Sequence, residues 1–253
     1  MRSLTNMSVL ITGGGSGLGE GAARHFVDNG ALVTITGRRL EPLQELATEL
    51  GSNCRAVQGD VTIDTHRRAM VAAAADHGGG IEAVLSNAGN MYRSDVVDFD
   101  EQRLLDIFHT NVIGGMMLAK AAHGHLATSN GCIVFVGSVH TQRAFPYASP
   151  YAATKGAVEA LTGVLAAELG PAGIRVGCVR PGAVLTDINV RAGLTTASEQ
   201  AERLEGLSGM HALGRIGTAQ EVAEAFEYLV CAEWTTGNVL TVDGGLGLGV
   251  TRA

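Results

Sequence analysis

Tyr151 and Lys155 stand four residues apart at the start of Pro150–Leu169, a stretch whose spacing predicts a helix, so their side chains share one face. Ser138 lies upstream, just past the apolar run Ile133–Val136 that reads as a strand. Alone, a Tyr-x-x-x-Lys pair is commonplace on a helix surface; together with a serine at a strand end it describes chemistry. A free tyrosine has a pKa of about 10 and is a poor base at neutral pH. A neighbouring ammonium favours the phenolate, and each unit of lowering corresponds to about 1.4 kcal/mol. Such a phenol can take the proton of an alcohol or return it to a forming alkoxide. The serine hydroxyl can hold the same oxygen while charge develops on it.

The other half of that chemistry is a hydride carrier, and the chain has a place for one. After the first strand comes Thr12-Gly13-Gly14-Gly15-Ser16-Gly17-Leu18-Gly19, running straight into a helix. A turn without side chains lets backbone approach a pyrophosphate, and the helix N-terminus offers free N–H groups and the positive end of its dipole. Gly19 lets that helix lie close to the sheet. The second strand ends Thr36-Gly37-Arg38-Arg39, with Gly37 where an NAD site usually carries an acid for the adenosine ribose. Arg38 can pair with a 2′-phosphate. The expected cofactor is therefore NADP(H), favoured by a small margin over NAD(H). Asp60-Val61 at the third strand end are expected to bracket adenine, and Asn87-Ala88-Gly89 forms a tight exit from the fourth strand.

These residues must be positioned by strands at Val9–Thr12, Leu32–Thr36, Arg55–Gln58, Ala83–Ser86, Ile133–Val136, Arg175–Val179 and Val239–Val242. Helical patterns fall between them at Leu18–Asn29, Glu41–Leu50, Asp64–His77, Glu101–Ala127, Pro150–Leu169 and Ala219–Val230. Uniformly apolar strands are covered on both faces, the habit of a parallel sheet. The expectation is an α/β fold, Rossmann-like: a doubly wound, seven-stranded parallel sheet with helices on both faces, in a single domain spanning residues 1–253. One stretch breaks the rhythm, the polar excursion Asp187–Gly217, too long for an ordinary connection and read as a substrate lid.

Composition narrows the partners. With 25 acidic residues against 18 Lys and Arg the formal net charge is −7, which excludes nucleic acid, since phosphate binding needs a basic face. No apolar run approaches the roughly 20 residues of a membrane span. The apolar stretch Met7–Ile11 is too short for a signal peptide core. Cys54, Cys132, Cys178 and Cys231 lie far apart and read as buried reduced thiols, with no metal site and a cytoplasmic setting.

At this point the chain resembles the short-chain dehydrogenase/reductase family, in the short subclass of this chain's length with a Tyr-x-x-x-Lys active site. The resemblance covers nearly the whole length. It rests on Thr12-Gly13-x-x-x-Gly17-x-Gly19, Asp60, Asn87-Ala88-Gly89, Asn111, Ser138, Tyr151-x-x-x-Lys155 and Pro181-Gly182-x-x-x-Thr186. It implies that Asn111 binds a water through its main chain and completes a proton relay. It also implies that Lys155 hydrogen-bonds the nicotinamide ribose and that Val184 and Thr186 anchor the carboxamide. Gly13, Gly15, Ser16, Gly17, Leu18, Pro181 and Gly182 are expected at the cofactor with Gly37, Arg38, Asp60, Val61, Asn87, Ala88 and Gly89. One departure bears on cofactor choice: Ser16 occupies a position where NADP-preferring relatives often carry a basic residue. The resemblance further implies pairing about two-fold axes, as a homotetramer or homodimer.

The leading reading is an NAD(P)-dependent alcohol dehydrogenase or ketoreductase acting on a neutral, largely apolar ketone or secondary alcohol. Two alternatives compete with it: reduction of an enoyl or imine bond on the same fold, and a catalytically silent dinucleotide-binding sensor. The Tyr-to-Lys spacing and Ser138 argue against the enoyl version, and a silent relative is expected to have lost one of the trio. Walls of the substrate pocket are expected from Asn90–Arg93, Val139–Ser149 and Asp187–Gly217, which contribute Met91, Tyr92, His140, Gln142, Phe145, Tyr147, Ile188, Leu194, Leu207 and Met210. Arg143 and Arg191 are the available cations, and His140 reads equally well as a contact to a polar group of the substrate or as a solvated loop residue.

Overall fold

The computed structural model describes residues 1–249 of the chain. Seven strands form one sheet: β1 (Ser8–Thr12), β2 (Leu32–Gly37), β3 (Cys54–Gln58), β4 (Ala83–Ser86), β5 (Cys132–Val136), β6 (Arg175–Pro181) and β7 (Asn238–Val242). Their order is β3-β2-β1-β4-β5-β6-β7, and every paired neighbour is parallel. The chain winds outward from β1 to β3, then returns to lay β4 on the other side of β1. That reversal opens a crevice at the carboxyl ends of β1 and β4, where ligands of open parallel sheets bind.

Alternation along the strands divides the core between two faces. Val9 and Ile11 of β1 pack with Phe26 of α1 (Gly17–Asp28), Leu43 and Leu46 of α2 (Leu40–Leu50), and Phe226 of α9 (Ala219–Cys231). Leu10, between them, turns to the other face, with Met70 of α3 (Asp64–Gly78) and Leu118 and Val158 from the two long helices there. Fully burying a side chain such as Phe226 is worth roughly 1.5–3 kcal/mol. Helix α9 opens on a reciprocal cap between Thr218 and Glu221. Its end is held by Arg175, whose guanidinium donates to the carbonyls of Leu229, Val230 and Ala232.

The long helix expected over Glu101–Ala127 is interrupted. It divides into α4 (Glu101–Phe108), a π-helical turn (His109–Ile113) and α5 (Gly114–Ser129). A π-turn is one wide turn inside an α-helix, and it swings Asn111 inward. The Asn111 amide pairs with both backbone groups of Asn90, accepting N–H at 2.8 Å and donating to C=O at 3.0 Å. It also donates to Thr154 Oγ1 at 3.1 Å, on α6 (Ser149–Leu169).

The excursion between β6 and β7 carries α7 (Ile188–Arg191), α8 (Ala197–Gly206) and a short turn at Ser208–Met210. Its two ends meet: Val184 and Gly217 form a parallel bridge, and the Gly217 amide donates to Ala183 C=O at 2.9 Å. Among the described residues no helix is long and apolar enough to cross a membrane.

Candidate active site

The crevice is built first by the glycine turn. Gly13 and Gly17 have φ of +67° and +57°, a region side chains rarely adopt. The turn is tied across the switch point. Thr12 Oγ1 accepts the amides of Asn87 (3.1 Å) and Ala88 (3.0 Å), while Asn87 Nδ2 donates to the carbonyls of Thr12 (2.8 Å) and Gly13 (3.1 Å). A Cβ on Gly19 would overlap the Gly13 carbonyl, so α1 lies against the turn only because that position is bare. The Ser16 side chain makes no cap to α1, leaving the first amides of the helix to a ligand.

Two cavities meet at this turn, sharing Gly13, Ser16 and Gly89. One runs beneath the end of β2 and is lined by Gly15, Gly37, Arg38, Asp60, Val61 and Ala88. Arg38 is exposed at its rim. Its neighbour Arg39 lines the same cavity and stands 3.6 Å from the Asp187 carboxylate at the head of the excursion. Burial pushes the Asp60 carboxyl up, but hydrogen bonds from the Thr62 amide and hydroxyl, with Arg38 and His66 nearby, outweigh it and hold the acid below the usual range.

The second cavity takes in Gly17, Leu18, Asn87, Ser138, Tyr151, Lys155, Pro181, Gly182, Val184 and Thr186. Tyr151 and Lys155 come from the first turns of α6, and Ser138 from the end of β5; all three are more than nine-tenths buried. Lys155 Nζ lies 5.4 Å from the centre of the Tyr151 ring and donates to the Val136 carbonyl at 2.8 Å. Ser138 Oγ stands 3.0 Å from His140 Nδ1. Asn111 lines neither cavity; it sits behind them, fastening the loop after β4 to α6.

Of the expected wall residues, Met91, His140, Phe145, Ile188 and Leu207 line this second cavity. Tyr92, Gln142, Tyr147, Leu194 and Met210 do not. Tyr92 is packed with Ile107 and Tyr151, and its hydroxyl accepts the Asp100 amide at 3.0 Å; Tyr147 is 61% exposed. Arg143 is turned away to donate to the Leu246 carbonyl at 2.9 Å, and the Arg191 side chain lies outside the described residues. Arg93, Val139 and Asn189 also line the cavity, within the expected segments, whereas Leu246 lies outside them. Arg93 was legible as the end of the loop after β4. Leu246, from the far end of the chain, carried no signal.

The joined cavities fit a nicotinamide dinucleotide. The cradle between Gly13, Gly17 and the head of α1 is of the kind that a Cβ would fill, and Ser138, Tyr151 and Lys155 stand at the opposite end. Thr186 packs against Gly17, so the segment after β6 closes the space between them.

Comparison with known proteins agrees with this geometry. The family described as enoyl-(acyl carrier protein) reductase matches residues 13–247. The chain is 37% identical to (+)-borneol dehydrogenase 1 of Salvia officinalis, over 96% of this chain and 95% of that protein. A solved short chain dehydrogenase/reductase family protein is 33% identical, covers 96% of this chain and 98% of its own, and superposes with a TM-score of 0.82. The 3-ketoacyl-(acyl-carrier-protein) reductase of Brucella melitensis, solved with NADH, is 31% identical over 97% of this chain and all of that one, with a TM-score of 0.85.

Proposed function

The chain belongs to the short-chain dehydrogenase/reductase family, and from that premise we propose how its site works and on what. It is an oxidoreductase of the alcohol–carbonyl pair. The observation that carries our reading of the site is the convergence of Ser138, Tyr151 and Lys155 on one cavity that continues into the glycine cradle. A bound nicotinamide supplies the hydride donor or acceptor. Tyr151 takes the alcohol proton in oxidation and gives it back to the alkoxide in reduction. Ser138 donates to the reacting oxygen. Lys155 places a positive charge beside the phenol and holds the nicotinamide ribose, and Asn111 holds a relay water at the π-turn.

The cofactor site in this reading comprises Gly13, Gly15, Ser16, Gly17 and Leu18 at the pyrophosphate, and Gly37, Arg38, Asp60 and Val61 at the adenosine. Asn87, Ala88 and Gly89 form its floor; Pro181, Gly182, Val184 and Thr186 meet the carboxamide side. NADP(H) is favoured over NAD(H) by a small margin, because Arg38 stands at the rim and Gly37 leaves no acid to repel a 2′-phosphate.

The substrate is a neutral, largely apolar ketone or secondary alcohol. Met91, Val139, Phe145, Ile188, Leu207 and Leu246 support this, with Arg93 and Asn189 giving the wall a polar edge. Residues 187–217 act as a lid within a single domain; the pinned base at Val184 and Gly217, with Ile188 and Leu207 in the wall, supports that role. A homotetramer in the cytoplasm completes the reading, supported by exposed Met116, Ala153, Ala160 and Val164 on α5 and α6 and by four buried thiols. Monitoring NAD(P)H absorbance with a panel of carbonyl compounds tests the substrate class. Preference for dicarboxylic, phosphorylated or CoA-linked substrates over neutral ketones would overturn it and point to Arg93 as an anion receptor.

A further inference from the structure

His140 sits on the short turn Val139–Thr141 that follows Ser138, and its ring is held from several sides. Its Nδ1 lies 3.0 Å from Ser138 Oγ, and its backbone N–H donates to the same oxygen at 3.3 Å. The ring meets the Tyr151 ring edge-on at 5.2 Å and packs, tilted, against Phe145 at 4.6 Å. It thus stands between the serine and the tyrosine in the wall of the catalytic cavity.

A serine hydroxyl has one proton to give and two lone pairs to fill. The His140 amide fills one lone pair. When Nδ1 carries a proton it fills the second, and the O–H is left to point into the cavity. When Nδ1 is bare, the serine proton is drawn to the ring and the reacting oxygen loses a donor. The two forms are therefore unequal for a group that must stabilise charge developing on oxygen.

We propose that His140 is a positioning residue for hydride transfer: its protonated Nδ1 donates to Ser138 Oγ and turns the serine hydroxyl outward to the substrate oxygen. The inference rests on the reading of Ser138 as donor to that oxygen. The neutral Nδ1–H tautomer and the imidazolium present the same donor. The charged and titratable groups lining the cavity with His140 are Tyr151 and Lys155 of α6, Arg93 after β4 and Asp187 at the head of the excursion. No bond forms or breaks at the imidazole.

Two variants separate this role from packing. His140→Phe keeps a ring against Phe145 and Tyr151 without the donor, and His140→Asn places an amide nitrogen near the position of Nδ1. With the best ketone from the panel, His140→Phe should lower kcat by about one to two orders of magnitude, short of the roughly 10²–10³ lost with a direct oxyanion donor. The KM for NADPH should stay unchanged and His140→Asn should recover most of the rate. The loss should vanish in a Ser138→Ala background; additive losses would overturn the proposal. A second readout needs no turnover. In NADPH-loaded protein with ¹⁵N-labelled histidine, the His140 resonance, assigned by its disappearance in His140→Asn, should show Nδ1 protonated and should shift in Ser138→Ala. An Nε2–H tautomer with bare Nδ1 sinks the idea. Failure of the substrate reading gives a different pattern: no turnover with any neutral ketone, with the Nδ1–H signal still present.

Discussion

Lys155 Nζ donates to the carbonyl oxygen of Val136 at 2.8 Å, pinning the ammonium on α6 to the carboxyl end of β5. The side chain is 5% exposed, so a buried cation is held by a backbone dipole within reach of both the Tyr151 ring and the floor at Gly89. An ammonium has three protons, and one is committed to Val136. The other two remain for groups in the cavity, enough for one lysine to serve both the phenol and a ribose as proposed above.

Removing that lysine should therefore cost more than removing the phenolic oxygen. Tyr151→Phe should lower turnover by about two to four orders of magnitude with cofactor affinity intact. Lys155→Ala should lose turnover and cofactor binding together, leaving the Val136 carbonyl without its partner. Steady-state rates alongside fluorescence titration of NAD(P)H distinguish the two. Near-normal ketone reduction by Tyr151→Phe would refute the acid/base assignment.

Cofactor preference should rest on Arg38. Arg38→Ala should weaken NADPH binding by roughly 1.5–3 kcal/mol, the worth of a charge-assisted pair, and leave NADH binding nearly unchanged. Paired titrations of the two cofactors check this. Equal or better kcat/KM with NADH in the unmodified protein contradicts it.

Gly19→Ala tests the cradle by shape alone, since the added methyl would overlap the Gly13 carbonyl. Either α1 retreats from the turn or the turn opens. Both outcomes should lower dinucleotide affinity at least tenfold, about 1.4 kcal/mol. Retention of full affinity by Gly19→Ala would show that the turn adapts.

The cysteines predict an alkaline limit to stability. Burial pushes the Cys54 and Cys132 thiols up to about 11 and Cys178 to about 12, from an ordinary value of 9.0. The unfolded chain therefore sheds these protons first, and stability falls as pH rises from about 9 toward about 12. Urea unfolding at pH 7.5 and pH 10 should show a loss that Cys178→Ala reduces. A thiol reagent at pH 8 should react slowly with the native protein and quickly once it unfolds.

Light scattering tests assembly. The partly exposed apolar residues Ile113, Met116 and Val164 on and beside α5 and α6 should be covered by a second copy. A species of several chains is expected at micromolar concentration; a stable monomer would contradict this.

Much of this architecture is written in short-range pattern. The seven strands were legible within a residue or two because each is a short apolar run ended by Gly, Asp, Asn or Ser, and parallel sheets bury such runs on both faces. The Gly13–Gly19 turn and the Tyr151–Lys155 pair were legible for the same reason, since adjacency along the chain alone fixes their spacing. What only the tertiary structure decided depends on contacts between distant segments. Asn111 looked like an interior residue of one long helix; a π-turn swings it inward, where Asn90 and Thr154 are its partners. Arg143 looked available to a substrate until Leu246, remote in sequence, supplied a carbonyl to bind it. His140 read equally well as a solvated loop residue or a substrate contact. Its meeting with Tyr151 and Phe145 around Ser138 arises because the turn after β5 folds back on the first turn of α6. Local sequence sets backbone propensity and periodicity, whereas the direction of a long polar side chain is set by whichever partner the completed fold brings within hydrogen-bonding distance.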